Sequence, residues 1–339
     1  MNIILDAHGG DNAPLEPIKG ALLAAKEYGV TVTLCGDPAK IRECAANNDI
    51  SLDGVEIAPA AQVMPMDAQP GEIRNTYAES SMAVGLRLLA AGQGDAFVTG
   101  GNTGALALGG SVFVKRLPGI KRAALAVVIP NAKSCHLMLD CGANSECRPE
   151  MLQQFGVMGS AYMENIQGVA SPRVGVVNIG SEETKGLELQ VEAGKLLRQT
   201  PVNFIGNVEA REVPLGGCDV AVCDGFTGNV ILKLTEGMGK WIGIEFRKIL
   251  LANVLTKLAA LIIKGGLKRF KDSLDYTEYG GAPLLGLRAP VIKAHGSSNA
   301  HAFKNAVRQA KRMVETQMIT KVGGVLAGLK GADTEAEDE

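Results

Sequence analysis

Eight short apolar runs in this chain each end in a cluster rich in Gly, Asn, Asp, Ser, His or Lys. The clusters are DAHGGD (Asp6 to Asp11), CGDP (Cys35 to Pro38), TGGNTGA (Thr99 to Ala105), DCGANSE (Asp140 to Glu146), NIGSEETKG (Asn178 to Gly186), GNVEA (Gly206 to Ala210), CDGFTGN (Cys223 to Asn229) and HGSSN (His295 to Asn299). In an open parallel sheet, ligands bind beyond the carboxyl ends of the strands, where loop amides and the positive ends of the following helices converge. One edge of one sheet is therefore expected to carry nearly all the chemistry.

Four clusters define that chemistry. In TGGNTGA a short strand gives way to an Ala/Leu helix, so Gly100, Gly101 and Gly104 admit close backbone approach, and the free amides from Asn102 and Thr103 onward suit an anion. NIGSEETKG sets Lys185 just past a strand, as a point charge for phosphate or as a solvated residue. CDGFTGN ends in Asn229, whose amide can donate to a developing oxyanion, while Asp224 either orients a neighbouring cation or caps the next helix. HGSSN offers His295 at a strand end, followed by Ser297, Ser298 and Asn299 as hydroxyl, amide and helix-start donors. Asn144 of DCGANSE joins the substrate-binding set.

Other chemistries lack their residues. There is no G-x-x-x-x-G-K-[ST] loop, no G-x-G-x-x-G after the first strand and no G-x-S-x-G elbow, which speaks against P-loop, dinucleotide and acyl-serine chemistry. The seven cysteines form no C-x-x-C pair. Cys35, Cys135, Cys141, Cys218 and Cys223 sit in or beside strand-like runs and read as free, buried thiols, and no metal site is expected. A net charge of -2 and a single Trp give no pull toward nucleic acid. A site rich in anion donors but without its own nucleophile points to the substrate anion as the attacker, and phosphate fits that role.

The elements that must position these clusters alternate. Ile3 to Leu5, Thr31 to Leu34, Ala96 to Val98, Ala124 to Ile129, His136 to Leu139, Val174 to Asn178, Val202 to Ile205, Val220 to Val222 and Val291 to Lys293 read as strands, with helix-like stretches such as Pro14 to Tyr28 between most of them. That pattern predicts an α/β protein of three αβα layers around a mostly parallel sheet. Only Pro130 to Cys135 separates two of the runs, so a hairpin makes the sheet mixed. Met151 to Gln167 is expected to be a helix joining an earlier half to a later one across a central cleft. Residues 1–330 are taken as one α/β domain and residues 331–339 as a disordered acidic tail. The chain opens directly on a strand with no basic and apolar leader, so a cytoplasmic location is expected.

The stretch from Trp241 to Lys271 differs from the rest. Between Phe246 and Lys271 stand seven cations and no acid. Leu251, Val254, Leu255, Leu258, Leu261 and Ile262 recur at helical spacing, with Lys257, Lys264, Lys268 and Lys271 on the opposing face. It is too charged to span a membrane, and Gly265 and Gly266 predict a break in the helix. Three readings stand open: a packed helical hairpin, a membrane-surface contact, or a contact with an acidic partner.

With these motifs in view, the chain resembles the PlsX family, phosphate acyltransferases that make acyl phosphate from acyl-acyl carrier protein and inorganic phosphate. The resemblance runs from Asn2 to about Val322 and rests on DAHGGD, GGNTGALALGG, LDCGAN with the following PEMLQQF, NIGSEETKGLE, CDVAVCDGFTGNVILKLTEG and LLGLRAPVIKAHGSSN. It implies a fold similar to the isocitrate and isopropylmalate dehydrogenases, a homodimer, no metal or nucleotide cofactor, and peripheral attachment to the membrane, where the product passes to a membrane-bound glycerol-3-phosphate acyltransferase. Lys185, Asn229 and His295 then read as catalytic. The competing readings are a nicotinamide-dependent, metal-assisted dehydrogenase on the same fold and a non-catalytic scaffold for carrier protein or membrane.

Overall fold

The computed structural model describes residues 1–273 and 279–335, with side chains described within 1–266 and 279–326. In chain order the elements are β1 (Asn2–Asp6), α1 (Leu15–Tyr28), β2 (Thr31–Gly36), α2 (Pro38–Ala46), β3 (Val55–Pro59), α3 (Ser81–Ala90), β4 (Ala96–Thr99), α4 (Thr103–Gly109), β5 (Ala124–Leu125), β6 (Val127–Pro130), β7 (Cys135–Leu139) and α5 (Pro149–Tyr162). There follow β8 (Arg173–Asn178), α6 (Glu188–Arg198), β9 (Asn203–Glu209), β10 (Val220–Val222), α7 (Gly225–Leu250), α8 (Val254–Ser273), β11 (Ala282–Leu285), β12 (Val291–Lys293), α9 (Ala300–Glu315) and α10 (Met318–Glu335).

The α/β architecture is the expected one, but the strands form two sheets where one was anticipated. A seven-stranded sheet runs β3-β2-β1-β4-β12-β11-β5, and a five-stranded sheet runs β6-β7-β10-β8-β9. The cause lies in the run Ala124 to Ile129. Leu125 pairs with Leu284 in the first sheet, while Val127, two residues on, pairs with Met138 in the second. One apolar run thus serves as a strand in each sheet. β6 and β7 form the predicted antiparallel hairpin, and β4, β1, β2, β3 and β12 are mutually parallel, as are β7, β10, β8 and β9.

Both sheets are covered on both faces, which is why their strands read as continuous apolar runs rather than alternating ones. Ile3 and Leu5 pack into one buried cluster with Leu139, Val222 and Phe303, while Ile4 between them enters a second cluster with Phe97, Met138 and Ala221. Each cluster takes residues from both sheets, so the two halves share their core. Sequence periodicity missed β3 and β11; β3 is an edge strand, only partly buried.

The basic segment forms most of a helical pair, α7 and α8. The chain turns at residues 251–253, and α8 runs unbroken through Gly265 and Gly266, where a break was expected. The turn prevails because Asn253 and Thr256 cap the new helix reciprocally. Thr256 N donates to Asn253 Oδ1 at 2.9 Å and Asn253 N donates to Thr256 Oγ1 at 3.0 Å. None of the described helices is long and apolar enough to cross a membrane. Helix α10 continues to Glu335, into the stretch expected to be an acidic tail; residues 336–339 lie outside the described residues.

Candidate active site

Each sheet carries a crest of loops at the carboxyl ends of its strands, and Lys233 of α7, the helix after β10, acts electrostatically on His295 and Lys293 of the first. On the first, β4 lies between β1 and β12, and the carboxyl ends of those neighbours both reach the loop that follows β4. Asp6, at the end of β1 and fully buried, accepts the Thr99 hydroxyl at 2.7 Å, and Thr99 Oγ1 in turn accepts the Gly101 amide at 2.9 Å. Lys293, at the end of β12 and only 7% exposed, donates to the Gly100 carbonyl at 3.1 Å and to the Ala294 carbonyl. The loop's carbonyl side is held inward by these bonds.

Asn102 accepts the Ala105 amide at 3.0 Å as the cap of α4, and its own amide donates to the Met66 and Ala68 carbonyls at 2.9 and 3.0 Å. Among the described residues the main-chain amides of Asn102, Thr103 and Gly104 have no hydrogen-bond partner. Such donors at the start of a helical segment attract an anion.

The β12 loop closes this crest. Asp11 N donates to the Gly296 carbonyl at 2.7 Å, and His295 Nδ1 lies 2.8 Å from Ser297 Oγ and accepts the Ser297 amide at 3.2 Å. An Nδ1 that accepts leaves the ring proton on Nε2 in the neutral imidazole. Ser298 is buried, and Asn299 caps α9 by accepting the Ala302 amide at 2.9 Å. Lys233, in α7, contributes charge here: burial first, then Lys233, holds the His295 imidazole below the ordinary histidine range, against the opposing pull of Glu236. Burial also pushes the Lys293 ammonium down to about 8, with Asp11 and Asp6 opposing the shift and Lys233 adding to it.

The second crest is organised around Asp140. Its carboxylate accepts the amides of Leu125, Gly142 and Ala143 at 3.0, 3.2 and 3.0 Å on Oδ1, and both the main-chain and side-chain nitrogens of Asn144 at 2.7 Å on Oδ2. Asn144 also donates to the Ala123 carbonyl, and its own carbonyl accepts the Gly225 amide at 2.8 Å. That brings α7 so close that a Cβ at Gly228 would stand 1.9 Å from the Asp140 carbonyl oxygen, so only glycine fits. One turn beyond Gly225, the exposed Asn229 comes beside Gly142. Asp224 caps α7, accepting both the amide and the hydroxyl of Thr227 at 2.8 Å.

The predicted residues thus divide by what their side chains hold. Asn102, Asp224 and Asn299 cap helices, and Asn144 ties the second crest together, while Gly100, Gly101, Thr103, Gly104, Ser297, Ser298 and His295 share the first crest. Lys185 is exposed on the β8 loop, which Asn178 and Asn207 fasten by donating to the Lys185 and Glu182 carbonyls at 2.8 and 2.6 Å. Among the described residues its ammonium has no ion pair. Lys257 and Lys264 are exposed on α8, and the side chains of Lys268 and Lys271 lie outside the described residues. Asp6 lies in the expected DAHGGD cluster but without an assigned role, and Lys233 and Lys293 were not anticipated. A lysine closing a three-residue apolar run carried the only signal for Lys293.

The buried thiols pack beneath the crests, Cys223 Sγ lying 3.5 Å from the Asp140 carbonyl. Cys35, Cys135, Cys141, Cys218 and Cys223 are buried and free, and burial raises each of them, Cys35 and Cys218 to about 12. Among the described residues no group of three or more His, Cys, Asp or Glu side chains is arranged to hold a metal.

Residues 1–321 match the family model described as "Fatty acid synthesis protein". The phosphate acyltransferase of Alkaliphilus oremlandii is 45% identical over 329 residues, covering 97% of this chain and 98% of the relative. That of Brevibacillus brevis is 47% identical over 317 residues, covering 93% and 94%. Among solved structures, a phosphotransacetylase from Streptococcus pyogenes superposes with a TM-score of 0.65 at 16% identity, covering 93% of this chain and 94% of that one. A 4-hydroxythreonine-4-phosphate dehydrogenase from Salmonella typhimurium does so at 0.51 and 14%, covering 92% and 99%; both likenesses show a shared fold. With the family model matched along nearly the whole chain and two relatives above 40% identity, the protein belongs to the phosphate acyltransferase family and is an acyltransferase of fatty acid and phospholipid synthesis.

Proposed function

We propose that the chain moves a fatty acyl group from acyl-acyl carrier protein to inorganic phosphate, releasing acyl phosphate. The observation that carries this reading is the set of unpartnered amides of Asn102, Thr103 and Gly104, on a loop whose other side Asp6 and Lys293 hold. Phosphate binds these amides and the Thr103 hydroxyl, with Lys185 and the His295 to Asn299 loop supplying the remaining contacts. A phosphate oxygen attacks the thioester carbonyl, the new C–O bond forms, and the C–S bond breaks as the tetrahedral intermediate collapses.

Asn229 donates to the oxyanion from the second crest. The thiolate is a good enough leaving group to depart unprotonated and then takes up a proton through solvent, balancing the one the attacking phosphate loses, so no strong general acid is required. Bringing two anions together is the harder step, and fixed cations with preorganised amides address it.

Helices α7 and α8 support two further parts of the proposal. Leu255, Leu258, Leu261 and Ile262 are all exposed on α8, Ile262 at 85%, and Trp241, Ile244 and Phe246 are exposed on α7. A surface this apolar calls for a cover. A second copy of the chain on α7 and an anionic membrane surface on α8 would provide one, placing the product near a membrane-bound glycerol-3-phosphate acyltransferase. The deciding experiment mixes the protein with acyl-acyl carrier protein and phosphate and traps acyl phosphate with hydroxylamine. Hydroxamate that depends on phosphate is expected, and its absence at saturating donor would refute the reading.

A further inference from the structure

A cation-lined groove lies beside the second crest, away from the phosphate loop. It measures about 460 Å³ next to Asn144 and continues as about 290 Å³ toward Lys121, with Arg122, Arg148 and Met151 lining both parts. Its cations are Arg116, Lys121, Arg122 and Arg148, against the carboxylates of Glu146 and Glu150. Among the described residues none of the four cations makes an ion pair. With four cations against two carboxylates, the lining is net positive.

The groove is also built rigidly. Gln154 of α5 accepts the Lys121 amide at 2.8 Å and donates to the Gly119 carbonyl at 3.0 Å, so one side chain fastens the turn that presents Lys121 and Arg122. The Arg116 guanidinium donates to the Lys121 carbonyl, and Arg288 Nε donates to the Arg116 carbonyl at 3.1 Å. Arg148 stands at the start of α5, immediately before Pro149. Cations on a fastened scaffold lose less freedom on binding than mobile surface lysines do.

Its inner end meets the site. Asn144 lines the groove, and the same residue's carbonyl accepts the first amide of α7, one turn before Asn229. Met151 and Cys147 add apolar lining to the part next to Asn144. A net-positive groove that reaches Asn144, the residue hydrogen-bonded to the start of the helix carrying Asn229, suits a thioester donor that bears an anionic group, an uncharged arm and then the reacting carbonyl.

We infer that this groove binds the phosphodiester of the acyl donor's phosphopantetheine arm, an inference that rests on the acyl-carrier reading above. Arginines suit the task because a planar guanidinium meets phosphate oxygens with two parallel hydrogen bonds. The assignment separates the two anionic partners: the donor enters along Arg116 to Arg148, and the lysines of α8 are left for the membrane.

The test uses full-length protein, wild type and the Arg122→Ala/Arg148→Ala double variant, with three acyl donors: the carrier protein, acyl-4′-phosphopantetheine and acyl-pantetheine. For wild type, kcat/KM is expected to be about tenfold or more higher with acyl-4′-phosphopantetheine than with acyl-pantetheine, and the double variant should lose most of that ratio through a rise in KM. Direct titration with 4′-phosphopantetheine gives a readout free of turnover, and binding should weaken by about tenfold or more in the variant. An unchanged ratio and unchanged titration would overturn the inference. So would a variant impaired only with the intact carrier protein, since that would assign the groove to the protein's acidic surface. Wild type that titrates normally but forms no acyl phosphate from any donor would instead overturn the acyl-transfer reading.

Discussion

Asp6 and Lys293 stand at the ends of the two strands that flank β4, and each holds the loop after it: Asp6 accepts the Thr99 hydroxyl at 2.7 Å, and Lys293 donates to the Gly100 carbonyl at 3.1 Å. Thr99 passes the constraint on by accepting the Gly101 amide. The peptide planes of the glycine turn are therefore oriented by two buried charged groups of opposite sign. A loop of this composition has little stiffness of its own, because glycine permits many backbone states.

Lys293→Met is expected to retain the fold and to lower kcat/KM for phosphate by about 100-fold or more, the order seen on removing preorganised charge stabilisation. Because the ammonium is held down to about 8, it loses its proton as pH rises through that value. Wild-type activity at limiting phosphate should fall above about pH 8, and this alkaline limb should vanish in Lys293→Met. A limb that persists in the variant would assign it to another group.

Lys185→Ala and Asn229→Ala should each reduce turnover by about 100-fold or more with circular dichroism unchanged, since both side chains are exposed and neither is tied into the core. The Lys185 change should act mainly through the phosphate requirement. Near-normal rates in both variants at limiting phosphate would remove these residues from the mechanism.

His136 gives a pH effect on stability. It is 2% exposed on β7, neither ring nitrogen has a hydrogen-bond partner among the described residues, and burial pushes its imidazole down to about 4. The folded ring stays neutral where an unfolded ring, titrating near 6.5, takes up a proton, so the unfolded state binds more protons between about 6.5 and 4 and stability falls as pH falls through that window. The loss reaches roughly 3 kcal/mol at its acid end. His136→Leu should flatten this part of the profile in urea titrations at pH 7, 5.5 and 4.5. An equal acid loss in the variant would point to other groups.

The apolar face of α8 separates membrane from carrier-protein roles. Replacing Leu258 and Ile262 with Ser should reduce sedimentation with anionic vesicles while sparing turnover with soluble acyl-carrier protein, because both side chains are exposed. Lys257→Glu/Lys264→Glu should weaken vesicle binding further at low salt, each exposed charge being worth on the order of 1 kcal/mol there. Unchanged vesicle binding in both variants would return α8 to a purely structural role.

The local part of this protein is written in its sequence. Strand-like runs and their Gly, Asn and Asp termini could be read directly, since burial on both faces leaves a continuous apolar run and a tight crest loop needs residues of small side chain or special backbone freedom. Helix caps were legible for the same reason: Asp224 and Asn299 act on amides three residues away. What depended on distant partners was not legible. Ala124 to Ile129 reads as one strand, and only the pairing of Leu125 with Leu284 and of Val127 with Met138 divides it between two sheets. The break expected at Gly265 and Gly266 followed from a local cost of about 1 kcal/mol each in a helix, whereas α8 runs unbroken there in packing on α7. Lys293 closes a strand-like run in the sequence, but its burial follows from β12 lying between β4 and β11, a neighbourhood formed by residues some 190 positions apart, as in the bond from Lys293 to Gly100. Sequence spacing conveys which groups can be donors and cations. Which of them share one volume from which water is excluded is decided by the tertiary fold, because desolvation and charge coupling depend on distance in space and not along the chain.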